Sequence, residues 1–198
     1  MKLGNLDFNI GSVNPSGIGT TIYRTAKKNI TTWPTIIDDM ESAGSGAVVA
    51  DLAKYDGDFV LAAGEVWDKI YSTQGKGKAT YEPTGEVDCK MFTNKLSLSF
   101  PKLTAEVLAF SKVAANGDYV YIFKHDSKFY VIGHKDYRVV TSPSGDTGDA
   151  AGSAKGSTIE LEAPDVTPLP LYVGELQLED GTLDCATGTF TPTPADDD

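Results

Sequence analysis

Apolar and polar residues alternate along Lys95–Phe100, with Leu96, Leu98 and Phe100 set against Lys95, Ser97 and Ser99. A period of two puts the apolar trio on one face of a strand. Thr158–Ala163 repeats the pattern, with Ile159, Leu161 and Ala163 between Thr158, Glu160 and Glu162. Tyr119-Val120-Tyr121-Ile122-Phe123 and Phe129-Tyr130-Val131-Ile132 flank the polar quartet His125-Asp126-Ser127-Lys128, which predicts a β-hairpin. Tyr119, Tyr121 and Phe123 project to one face of that hairpin, Val120 and Ile122 to the other, so neither face is polar. Two arrangements fit: a central hairpin covered on both sides by its own chain, or a hairpin with one face against a neighbouring subunit. Tyr119, Tyr121 and Phe123 are therefore candidate subunit-contact residues.

Elsewhere the periodicity changes or weakens. Leu103, Val107, Leu108, Phe110 and Val113 recur at near-helical spacing between Pro101 and Asn116-Gly117. This predicts one helix over about 101–116, capped by Thr104, with an apolar stripe packed on a sheet. Glu65–Thr73 suits a half-buried strand, Gln74–Lys78 a hairpin tip, and Ala79–Tyr81 the way back. Glu86–Phe100 reads as extended. Gly17–Ile30, with Ile18, Thr20, Ile22, Tyr23 and Thr25, holds a weaker strand, and Ala47–Ala53 is ambiguous between helix and strand. Thr141–Ser157, rich in Gly, Ser, Ala and Asp, reads as a long loop. Leu169–Leu178 and Thr182–Phe190 surround the turn pair Asp180-Gly181. Roughly eight strands and one helix point to a mainly β fold, an antiparallel sandwich or barrel with one flanking helix. Residues 1–56 read as an N-terminal arm and loop region of the same domain. Residues 57–190 form the sandwich core, and 191–198 a disordered acidic tail.

Charge is distributed unevenly. The net charge of −11 arises after Arg138. Up to there 16 basic residues balance 16 acidic ones, whereas Val139 onward holds Lys155 against 12 acids. Such a surface repels phosphate and argues against sequence-independent nucleic-acid binding. No apolar run approaches the roughly 20 residues of a membrane span. Met1–Ile10 lacks the apolar block of a secretory signal, so export by that route is not expected. Cys89 and Cys185 make neither a disulfide framework nor a zinc quartet.

Chemistry-bearing patterns are sparse. His125 and His134 sit at opposite ends of the predicted return strand, on the order of 30 Å apart, too far to share a metal. Gly44-Ser45-Gly46 lacks the third glycine of a dinucleotide fingerprint, and Gly75-Lys76-Gly77-Lys78 lacks P-loop spacing. Asp146 and Asp149 lack the alternating ligands of a calcium loop. Glu160 and Glu162 share a strand face without a groove between them. The expectation is a non-enzymatic chain with no cofactor and no metal.

The order of these segments resembles the major tail-tube protein family of phages. The matching parts are Val66-Trp67, the Gly-rich Gln74–Lys78, extended Glu86–Phe100, the helix Leu103–Ala115, the hairpin Asp118–Gly133 and the strand Thr158–Ala163. Asp126–Gly133 looks like the family's strand returning after an acidic turn. Gly145–Ala150 with Lys155-Gly156 looks like its loop into the late strands. The resemblance implies a virion subunit made in the host cytoplasm. It implies homo-oligomeric, hexameric rings that stack, contacts with other virion proteins, no membrane, and DNA only as translocated cargo in a channel. A negative lumen lets DNA slide without sticking, which makes Glu160, Glu162, Glu175 and Glu179 candidate channel-facing acids. The segment before Asp56 and the hairpin Leu169–Phe190 depart from the family pattern. Head–tail connector, tail terminator and capsid-decorating protein therefore stand as alternatives. A further rival is a monomeric β-sandwich that binds carbohydrate or a cell surface through Trp33, Trp67 and the tyrosines.

Overall fold

The aromatic hairpin is the centre of the molecule. In a computed structural model, which describes residues 13–39, 41, 43–150 and 155–193, strands β7 (Tyr119–His125) and β8 (Lys128–Ile132) are joined by a two-residue turn. Asp126 and Ser127 both adopt positive φ, 45° and 62°, the geometry whose twist matches two antiparallel strands. β7 and β8 lie in a five-stranded sheet of order β11-β8-β7-β1-β4. Its other strands are β1 (Thr21–Ala26), β4 (Asp68–Tyr71) and β11 (Leu171–Tyr172). β1 pairs antiparallel with both β7 and β4, so residues before 57 supply an interior strand of this sheet.

Two further sheets cover its two faces. A four-stranded antiparallel sheet runs β5-β6-β10-β9, built from β5 (Lys78–Thr84), β6 (Met91–Phe100), β9 (Val140–Asp146) and β10 (Gly156–Asp165). On the opposite side, β12 (Glu175–Leu178), β13 (Gly181–Asp184) and β14 (Thr189–Pro192) form a three-stranded meander. Ile30–Thr32 (β2) and Val60–Leu61 (β3) make a small separate pair. None of these sheets closes into a barrel among the described residues; the architecture is a layered antiparallel sandwich.

Period-two alternation builds a core on each side of the central sheet. Tyr121, Phe123, Ile22 and Ile132 meet Leu96, Leu98, Ile159, Leu161 and Ala163 of the four-stranded sheet. Val120, Ile122, Phe129 and Val131 point the other way, onto Leu176, Leu178, Leu183, Trp67, Tyr172 and Phe59. Phe59 is the hub of that second core. Its ring lies 5.3 Å from Trp33, 5.5 Å from Trp67, 5.1 Å from Tyr172 and 5.9 Å from Tyr55, all within the range of favourable aromatic pairs.

The helix α1 (Ala105–Ala114) begins where expected. The Thr104 side chain accepts a hydrogen bond from the Val107 amide at 3.4 Å, satisfying one of the free amides of the first turn. Its inner stripe is Leu103, Val107, Phe110 and Ala114; Leu108 and Val113, one position off that stripe, are exposed. The predicted stripe is thus narrower than its five residues.

Other expectations are corrected. Gln74–Lys78 is no hairpin tip, because β4 and β5 lie in different sheets and the segment crosses between them. Gly77 allows this crossing. A Cβ there would come within 2.5 Å of the Ile18 side chain. Thr141–Asp146, read as loop, is part of β9 and pairs with Gly156–Leu161. Residues 49–53 form a short 3-10 turn. Thr191 and Pro192 belong to β14 rather than to a disordered tail; residues 194–198 and residues 1–12 of the N-terminal region lie outside the described residues.

Trp67 is 2% exposed and sits in the aromatic core. Trp67→Ala is expected to cost about 3–5 kcal/mol, the usual range for deleting a buried large aromatic side chain. Urea unfolding followed by far-ultraviolet circular dichroism reads this, with an unchanged m-value marking a loss of native stability alone.

Candidate functional site

The outer face of the four-stranded sheet is a polar surface that the strand pattern creates. The residues alternating with the buried Leu96, Leu98, Ile159 and Leu161 all point outward from it. Across the strands they form rows: Lys78, Ser97, Glu160 and Ser142 in one, and Thr80, Lys95, Glu162 and Val140 in the next. Thr158, Ser99 and Ser144 make a third row. A period of two puts Glu160 and Glu162 about 7 Å apart on this face.

Lys95 on this face is ion-paired, whereas Lys78 and Glu160 make no ion pair among the described residues. Lys95 Nζ lies 2.6 Å from Glu82 and 3.6 Å from Glu162. The Glu82 carboxylate, then the charge of Glu162, hold the Lys95 ammonium above its ordinary pKa. A lysine engaged twice presents little free charge to a phosphate. The exposed positions of this pair make it worth little for stability.

The four candidate acids do not share one surface. Glu160 and Glu162 lie on the outer face of the four-stranded sheet. Glu175 lies on β12 and Glu179 just beyond it, alternating with the inward Leu176 and Leu178. Those leucines pack on the opposite side of the central sheet from β10. Two sheet spacings, on the order of 20 Å, separate the two outer faces, so a single lumen can be lined by one pair only.

The aromatic candidates for subunit contact are likewise relocated. Tyr121 and Phe123 are 0% and 1% exposed within their own chain, and Tyr119 is half-buried. The Tyr121 hydroxyl reaches Thr141 at 3.4 Å, and burial pushes its pKa up to about 12. Neither Tyr121 nor Phe123 is available to a neighbour in this fold; the chain's own second sheet occupies the position that a subunit would take. Trp67, the stronger member of the stacking platform considered above, is buried for the same reason, and Trp33 leans its edge on Phe59.

The residue types of acid–base and metal chemistry remain scattered. His125 lies at the turn end of β7, where its Nδ1 donates to the Gly17 carbonyl at 2.5 Å. His134 lies beyond the far end of β8, 4.8 Å from the Tyr137 ring. No group of three or more His, Cys, Asp or Glu side chains suited to a metal occurs among the described residues. Burial pushes the Cys185 thiol up to about 12, far from a reactive thiolate; Cys89 is exposed.

A groove of about 600 Å³ lies between β5 and the central sheet. Ala79 and Tyr81 form one wall; Phe123, Tyr130, Pro168 and Leu169 form the floor; Ser16–Ile18 closes one end. The groove is mainly apolar. The sequence gives no direct sign of it, because its walls come from segments that are separate in the chain.

Beside it lies a buried polar knot. The Asn94 side chain donates to the Thr167 carbonyl at 2.9 Å and accepts from the Leu169 amide at 3.0 Å. Asp165 Oδ1 accepts from the Thr167 amide at 3.0 Å, while its Oδ2 has no hydrogen-bond partner. This knot shapes the loop from β10 to β11 and so sets the position of Pro168 and Leu169. Burial raises the Asp165 pKa, partly offset by the Thr167 amide and the His134 charge.

Comparisons with protein-family models, with curated proteins and with solved structures return no match.

A raised carboxyl pKa means that the folded state holds its proton to higher pH than the unfolded chain does. Asp165 therefore reduces stability as pH rises from the ordinary carboxylate range through its folded pKa. The stability difference between the wild type and Asp165→Asn should change in that direction between pH 4 and 8, with the wild type losing ground as pH rises. Urea midpoints at each pH measure it, and a pH-independent difference would remove the assigned cause.

Proposed function

We propose that this chain is a virion structural protein, a tail-tube-type subunit that self-assembles into stacked rings around a DNA channel. The observation that carries this reading is the outer face of the four-stranded sheet. It carries serine and threonine hydroxyls, three carboxylates and two lysines, with Lys95 held between Glu82 and Glu162 and Lys78 in the row of Glu160. Such a face suits a lumen through which a polyanion slides, because its acids outnumber its lysines and an excess of cations would bind phosphates and release counterions. Glu160 and Glu162 are the acids assigned to that lumen. Glu175 and Glu179, on the opposite side of the chain, belong to the outer wall.

Two features support assembly. The four-stranded sheet ends in the unpaired edges β5 and β9, which can meet neighbouring copies. The β5–β6 hairpin carries a fully exposed tip over residues 81–90, long enough to reach beyond one subunit. The ring is the proposed working form, hexameric as in the family the sequence resembles. Work done through shape also accounts for the scattered histidines and thiols.

Electron microscopy of purified protein at high concentration should show rings or tubes, and light scattering should show mass rising with concentration. A monomer at every concentration would overturn the reading. Glu160→Lys with Glu162→Lys should leave assembly intact and make the particles retain double-stranded DNA at low salt, released as salt is raised. Particles of the double variant that bind DNA no better than the wild type would show that this face does not line the channel.

A further inference from the structure

The connection from β10 to β11 carries a strained residue. Leu169 adopts a φ of 43°, a region that a bulky side chain rarely enters. Pro170 follows it, and a residue before proline favours extended backbone. Two local preferences thus oppose the observed conformation, and such strain persists only where the surroundings impose it. Here they do. The Leu169 amide donates to Asn94 Oδ1 at 3.0 Å, and the Asn94 side chain donates in turn to the Thr167 carbonyl at 2.9 Å. Both ends of the segment are fixed. Asp165 pairs with Phe92 at the end of β10, and the Pro170 carbonyl accepts from the Val131 amide of β8 at 2.9 Å. Residues 166–170 form a strap between these anchors, with Val166 exposed and Thr167 buried.

The strap rests on a carboxylic acid. Asp165 is 1% exposed and Asn94 0%. Asp165 Oδ1 accepts from the strap's Thr167 amide, and Oδ2 has no hydrogen-bond partner. A neutral acid tolerates this site. An anion with one bare oxygen does not, because a buried charge needs partners that replace water. Two other titratable groups face Asp165. His134, between β8 and β9, favours the anion through its charge. Burial, then the charge of Asp165, raises the pKa of the Tyr55 hydroxyl, so Tyr55 stays neutral wherever a carboxyl titrates.

We infer that the strap is a pH-responsive catch: when Asp165 ionises, residues 166–170 lift off Asn94, water reaches Oδ2, and Leu169 leaves its strained conformation. Desolvation of the anion and backbone strain act in the same direction, since lifting relieves both. Pro168 and Leu169 line the groove beside Phe123 and Tyr130, and Leu169 packs on the core around Tyr121 and Phe123. The groove keeps this part of its floor only while the acid holds its proton. The catch needs one chain alone, so it stands apart from the virion reading.

Hydrogen exchange read by mass spectrometry on the full chain tests it, with rates corrected for the intrinsic pH dependence of exchange. A group that titrates higher in the closed state than in the open one favours opening as pH rises. Protection of the Thr167 and Leu169 amides should fall by roughly tenfold between about pH 5 and 8. Those amides should also exchange at least roughly tenfold faster than the amides of Tyr121 and Ile122 in β7 throughout, the mark of a local opening. Strap protection that does not change with pH would overturn the inference. So would strap protection equal to that of β7, since the strap would then open only with the whole fold. Neither comparison needs a variant to fold. In Asp165→Asn, whose amide is neutral at every pH, strap protection should stay at the wild-type value for low pH. His134→Gln should retain the pH dependence. A dependence that survives in Asp165→Asn and vanishes in His134→Gln would assign the catch to the histidine and overturn the proposal.

Discussion

The fold depends on a hairpin that has no polar face. β7 and β8 present aromatic and aliphatic side chains on both sides, so neither side can be left to water. Burying large side chains contributes roughly 1.5–3 kcal/mol each, and that gain is available here only if a layer packs on each face. The four-stranded sheet covers Tyr121 and Phe123; β12–β14 and the aromatic cluster around Phe59 cover Val120 and Ile122. The three-layer arrangement follows from this one requirement.

Once the layers are set, the surfaces follow. Strands that bury one face expose the other, so β6 and β10 must present Ser, Thr, Lys and Glu to solvent, and β12 must present Glu175 and Gln177. The polar face proposed as a channel lining and the outward face of β12 are thus the reverse sides of the two cores. The acidic excess after Arg138 is divided between them because β10 and β12 lie in different layers. Edges follow too. Open sheets leave β5 and β9 unpaired, and an unpaired edge either recruits a strand or is shielded from one.

The aromatic hairpin had two readings in the sequence, and they differ only in what covers its second face. Alternation establishes that Tyr121 and Phe123 share a face and that the face must be dry. It carries no information on whether the covering layer comes from the same chain. The same holds for Glu160, Glu162, Glu175 and Glu179. Their outward orientation is legible from period two, but their common location is not, since it depends on which sheet each strand joins.

The sequence alone determined the mainly antiparallel character, the β7–β8 turn, the strand Thr158–Ala163, the alternation in β6 and the helix with its Thr104 cap, because each rests on contacts between near neighbours. The turn expected at Asp180-Gly181 falls one residue earlier, on Glu179-Asp180, with Gly181 opening β13. Only the tertiary structure decided that β1 sits between β7 and β4, that Gln74–Lys78 crosses between sheets, that Thr141–Asp146 is a strand, and that Asp165 is buried. Each of these depends on pairing or burial between segments distant in the chain. Such contacts are selected by the total apolar surface removed from water, a quantity that no local window of residues contains.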